Sequence, residues 1–128
     1  MILSLKRQLL RWGPALVVML LIFLASETPG NDLPEFGKID LGVKKGGHMT
    51  GYALLSMACL HGLTDRNRAT RYRVALAVSL VILYAITDEF HQTFTPGRNA
   101  SIIDVGIDAI GAILGVLLWM AIRRRRPA

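Results

Sequence analysis

The stretch ITDEFHQTFTPGR, residues 86–98, closes an apolar run that begins near Val74. Asp88, Glu89 and His91 thus stand in a segment built for lipid. A carboxylate near a histidine in a poorly solvated cleft has a shifted proton affinity, which suits general acid/base work. Asp88-x-x-His91 and Asp104-x-x-x-Asp108 each aim two side chains the same way on a helix, and His48 completes a possible set of metal ligands. Nothing as specific as H-E-x-x-H occurs, so a divalent metal is allowed and no cofactor is required. Lys45 and Arg98 could hold a phosphate. No Gly-x-Ser-x-Gly is present, and Cys59 lies on the wrong side of these groups for a nucleophile there.

The elements that position these residues are read from hydropathy. Of 128 residues 52% are apolar, in blocks, with mean hydropathy +0.43, which marks a membrane protein of one domain, residues 1–128. The formal charge of +6 comes from short clusters between the blocks. No basic face with interleaved aromatics appears, so nucleic acid is not an expected partner. Four spans are expected, about 12–25, 47–63, 73–94 and 101–122, the last two reaching the roughly 20 residues that a hydrocarbon core of about 30 Å requires. The fold class is all-α, a four-transmembrane-helix bundle. Residues 26–45 read as an external loop, Gly62 as a helix stop, Thr70 as an N-cap and Pro96-Gly97 as a tight turn. A competing reading makes residues 1–25 a signal peptide, although Phe23 sits where the cleavage pattern wants a small residue.

Charge sets the direction of the spans. Eleven Lys and Arg, namely Lys6, Arg7, Arg11, Arg66, Arg68, Arg71, Arg73 and Arg123 to Arg126, fall on one side, against Lys38, Lys44, Lys45 and Arg98 on the other. The richer side is cytoplasmic, so both termini are expected there. Trp12, Tyr72 and Trp119 fall at that boundary, where amphipathic rings settle.

With this topology the intramembrane polar groups share one layer near the outer surface. Asp88 lies about 9 Å below Phe94 and Asp108 about 10 Å below Ser101 at 1.5 Å per residue, while His48 and Tyr52 enter from span two. Asp104, Asp108, Gly111 and Gly115 share a helix face, and glycines so spaced let helices approach closely in lipid. Tyr84, Asp88, His91 and Thr95 repeat that spacing on span three. Blander roles are also open. Ser101-x-x-Asp104 fits a capping box, His48 and Tyr52 could simply bond across helices, His61 is interfacial, and Cys59 is a small buried hydrophobe. Asp88 and Glu89 resist this treatment, because they stand near a helix C-terminus and partly in lipid, both unfavourable for negative charge. Arg98 is expected to fold back over them.

The ordered set GGHMTGYALL, DEFHQTFTPGRNASIIDV and DAIGAILG resembles the VanZ-like family, small bacterial integral membrane proteins named after a teicoplanin-resistance protein. The likeness covers roughly residues 20–120. Asp88, Glu89, Gln92, Arg98, Ser101 and Asp104 match the family's motif, as do Lys45, His48, Tyr52 and Gly111. Lys44 departs from it, standing where members often carry Asp. Asp108 stands where many carry Asn, which favours a bound cation or a protonated carboxyl. The resemblance implies a multi-pass protein of the bacterial cytoplasmic membrane, linked in some members to glycopeptide resistance.

Two function classes follow. One is an envelope factor whose outward-facing polar cleft binds a lipid-linked or wall-precursor ligand. The other is an enzyme acting on a lipid-linked, phosphate-containing substrate. Candidate catalytic groups are Asp88, Glu89, His48 and Asp104, and candidate substrate-binding groups are Lys45, Tyr52, Gln92, Arg98 and Asp108. The lipid bilayer is the expected partner, and the sequence does not fix the oligomeric state. The orientation is tested with Cys59 replaced by Ala and single cysteines at Ala69 and Asn99. In intact cells an impermeant thiol reagent should label position 99 and spare position 69; the reverse pattern would invert the topology.

Overall fold

Backbone inside hydrocarbon must satisfy its own N–H and C=O groups, and a helix does so within one segment. The computed structural model describes residues 2–64 and 69–124, and among them it contains four long helices and no strand. They are α1 (Ile2–Glu27), α2 (Asp40–Leu63), α3 (Arg71–Gln92) and α4 (Ile102–Arg124), with two short 3-10 turns, Gly30–Asp32 and Gly37–Ile39, between α1 and α2. Arg66, Arg68, Arg125 and Arg126, part of the charge pattern above, lie outside the described residues.

Among the described residues three helices are long and apolar enough to cross a membrane: Ser4–Glu27, Arg71–Gln92 and Ile102–Arg124, with mean hydropathies of 2.0, 1.6 and 2.2. Their outer faces stay open, as with Leu16, Leu20 and Leu24 on α1 and Ile110, Leu114 and Leu117 on α4. That is the pattern of helices whose solvent is lipid. α2 has 24 residues but lacks their apolar content. It packs most extensively on α4 and also contacts α1 and α3. Of its glycines, Gly51 meets Ile22 and Gly62 meets the Trp12 ring, whereas Gly42, Gly46 and Gly47 have open space beside them.

Element ends differ from the sequence expectation, most at the start of α1, which lies at Ile2 where the first span was expected from about residue 12. α2 begins at Asp40, so residues 40–45 are helical and the loop of residues 26–45 is shorter at both ends. α1 runs on to Glu27. Gly62 does not stop α2. It is buried inside the helix, and a Cβ there would stand 2.8 Å from the Trp12 ring. The glycine is needed for space, not for termination. Thr70 does cap α3, its hydroxyl accepting from the Arg73 N–H at 3.3 Å. Gly97 takes φ +72°, the turn geometry that Pro-Gly suggested, and the Gly30 N–H donates to Pro96 O at 3.0 Å, which seats the first loop on this turn.

The tightest seam joins α2 to α4. A Cβ on Gly111 would lie 2.4 Å from Met49 O, and one on Gly115 would lie 2.2 Å from Ala53 O. α4 thus rests on the carbonyls of α2, and Ala112, Val116 and Trp119 fill the core beside it. Gly111→Leu and Gly115→Leu are each expected to lower stability by about 2 kcal/mol or more through overpacking. Gly106→Ala, with nothing within 4 Å of the new Cβ, should be close to neutral. Thermal unfolding in detergent reads both, and wild-type melting of the two leucine variants would mean that this face is not seated on α2.

Candidate functional site

The polar end of the bundle is assembled from the C-terminal ends of α1 and α3 and the N-terminal ends of α2 and α4. Asp88, Glu89 and Gln92 on α3 are buried, as are Tyr52 on α2 and Asp108 on α4. Helix spacing explains the grouping, because positions 88 and 92 lie one turn apart on the face that also carries Ala77, Val81 and Ala85.

Each carboxylate has a different environment. The Tyr52 hydroxyl donates to Asp88 Oδ2 at 3.0 Å, and the Gln92 amide donates to the same oxygen at 3.3 Å. Gln92 also donates to the Ser26 hydroxyl of α1 at 3.2 Å. Glu89 Oε2 accepts the Ser101 backbone N–H at 2.8 Å. In a capping box the acid three residues into the helix would take that proton. Here Glu89 takes it from another helix, which frees Asp104 to pair with Lys45 on α2. The Ser101 hydroxyl still accepts from the Ile103 N–H at 3.2 Å. Asp108 is fully buried, and neither of its oxygens has a hydrogen-bond partner among the described residues. His48 Nδ1 stands 3.5 Å from it, with the His48 ring stacked near Tyr52 at 6.4 Å.

Lys44, the departure from the family pattern, turns outward. It pairs with Asp40 one turn back at 2.7 Å, and this ammonium beside Asp40 holds that carboxyl below the usual carboxylate value. Lys45, next in sequence, faces the layer. Adjacent residues on a helix point about 100° apart, so the two lysines cannot share a task.

Two expectations about the layer are corrected. Arg98 does not cover Asp88 and Glu89. Its Nε donates to Thr28 O at 3.2 Å and its Nη2 to Ala25 O at 2.8 Å, where a guanidinium satisfies the last carbonyls of α1 and its negative dipole end. His91 does not join Asp88 either. Its Nε2 lies 2.5 Å from Glu27 Oε1, and its ring lies 5.0 Å from that of Phe23. Tyr84 also turns to α1, donating to Met19 O at 2.7 Å. The 84–88–91 face of α3 is therefore divided between α1 and the layer, and Thr95 falls in the turn past the end of the helix. Ser26 and Glu27 were missed as participants, because nothing in periodicity ties the end of α1 to α3.

The arrangement brings together Lys45, His48, Tyr52, Asp88, Glu89, Gln92, Asp104 and Asp108, and leaves Arg98 at its edge. His48, Glu89 and Asp108 each offer a ligand atom, all within 4.8 Å of one another. Chemically the layer can position a carboxylate base, hold a cation or bind an anion through Lys45.

Comparison with known proteins adds a family. The family model described as VanZ/LLP1 matches residues 12–123. No curated protein and no solved structure matches the chain. The Lys45–Asp104 pair supplies a test of the layer's geometry. Lys45→Met and Asp104→Asn should each destabilise, and the double variant should recover a coupling of about 1 kcal/mol. Strict additivity in thermal or denaturant unfolding would mean that the two groups do not meet.

Proposed function

The chain belongs to the VanZ/LLP1 family, and we propose that it is a four-span protein of the bacterial cytoplasmic membrane whose polar layer binds the phosphate-bearing head of a lipid-linked wall component. α2 is the fourth span in this reading, both termini are cytoplasmic, and the layer opens outward.

One observation carries the proposal. A cavity of about 90 Å³ between α1 and α2 has apolar walls from Ile22, Ala25, Gly47 and Gly51, and meets the layer at His48 and Tyr52. Apolar surface continuous with a charged cluster suits an amphiphile, with the chain along α1 and α2 and the head against the layer. Gly47 and Gly51 keep that side of α2 low, so a lipid chain can approach the helix backbone. Lys45 supplies the cation for a phosphate once Asp104 shares it. Capture of a wall-precursor lipid would change what glycopeptides meet at the cell surface, which is how such a protein would contribute to teicoplanin resistance.

A second reading has its own support. Asp88 is held by Tyr52 and Gln92 in a fixed position beside Glu89, the kind of preorganised carboxylate that could take a proton from a water attacking a phosphate held at Lys45.

Native mass spectrometry separates the readings. Purified protein should retain a polyprenyl phosphate and not the uncharged polyprenol, and Lys45→Met should lose that retention. Equal retention of both lipids would remove phosphate recognition. Conversion of the retained lipid, abolished in Asp88→Asn while retention persists, identifies an enzyme. Parallel loss of retention in that variant identifies a binding module.

A further inference from the structure

Asp108 is the group in the layer that the fold leaves unsatisfied. It is 0% exposed, both of its oxygens lack hydrogen-bond partners among the described residues, and His48 Nδ1 at 3.5 Å is too far for a good bond. A buried ionised carboxylate without a partner is costly. Asparagine or alanine would pack the same seam without that cost, so the carboxylate calls for an explanation beyond packing.

The surroundings do not supply the missing charge. Asp104 is matched by Lys45. Asp88 receives only the neutral donors Tyr52 and Gln92, and Glu89 receives one backbone N–H. Arg98 is turned to the end of α1, His91 to Glu27 and Lys44 to Asp40. Four carboxylates from two helices thus face one lysine and one imidazole.

We propose that His48, Glu89 and Asp108 bind one divalent cation, Mn²⁺ or Zn²⁺, at the seam of α2, α3 and α4. Each helix contributes one ligand, and the three ligand atoms lie within 4.8 Å of one another. Donors at about 2.1 Å on opposite sides of an ion stand about 4.2 Å apart, so side-chain shifts below about 1 Å close the set. One imidazole with two carboxylates is a mixed nitrogen and oxygen set that suits these ions better than Ca²⁺, which prefers oxygen alone. Three protein ligands leave positions for water or a phosphate oxygen. The ion's action on a phosphate rests on the lipid-binding reading above; its binding does not.

The test uses the full chain in detergent, stripped with chelator and titrated with Mn²⁺, with no lipid added. Loss of the free-ion paramagnetic resonance signal should report one Mn²⁺ per chain, displaced by Zn²⁺, and Mn²⁺ should raise the melting temperature. Asp108→Asn and His48→Gln should each weaken binding by about tenfold or more. In chelator Asp108→Asn should melt no lower than wild type, since it removes an unpaired buried charge, so its loss of binding cannot be attributed to unfolding. Asp40→Asn, outside the layer, should bind as wild type does. No stoichiometric ion in the wild type, or wild-type affinity in both Asp108→Asn and His48→Gln, would overturn the proposal. Polyprenyl phosphate retained in chelator after such a failure would leave the lipid reading standing. Ion binding without lipid retention would sink that reading alone.

Discussion

The seating of α4 on the carbonyls of α2 governs the rest of the molecule. Gly111 and Gly115 permit it, and any side chain there would strike Met49 O or Ala53 O. Without a hydrophobic force between helices in lipid, close packing is what holds them together. The same approach brings Asp108, one turn before Gly111, under His48. At this seam neither Asp108 oxygen has a hydrogen-bond partner among the described residues.

Low dielectric then decides where every other charge goes. Helix ends are the natural sinks. Arg11 donates to Gly62 O at 2.7 Å at the end of α2, and Arg98 donates to Ala25 O at the end of α1. Both answer the same need, orphan carbonyls at a helix C-terminus. The start of α4 is served by Glu89, an acid at the positive end of a helix dipole. By taking over the Ser101 N–H, Glu89 releases Asp104 for Lys45 and links α3 to α4 and α2 at once.

α1 is bound to this assembly through polar contacts, one glycine notch and the packing of Ala15, Val18, Met19 and Ile22 against the core. Trp12 lies over Gly62, Tyr84 bonds to Met19 O, and His91 meets Glu27. Its apolar face remains largely open to lipid. Between α1 and α2 the glycines at 47 and 51 leave the cavity that gives the layer its apolar approach.

The sequence alone determined the helical class, the gathering of polar groups from α2, α3 and α4, the Pro96-Gly97 turn and the glycine face of α4. These depend on composition and on periods of three and four along one chain, which need no partner to be read. It also singled out Asp88 and Glu89 as residues with no easy place in lipid. It misjudged Gly62 because a glycine near a helix end looks alike whether it terminates the helix or admits a neighbouring ring. It misassigned Arg98 and His91 because a long side chain at a helix end has several acceptors within reach, and only the packing of α1 selects among them. The trio of His48, Glu89 and Asp108 was not legible, since its members come from three helices with no fixed spacing. Only the tertiary structure decided that grouping, because the distance between α2 and α4 is set by where two glycines meet two carbonyls.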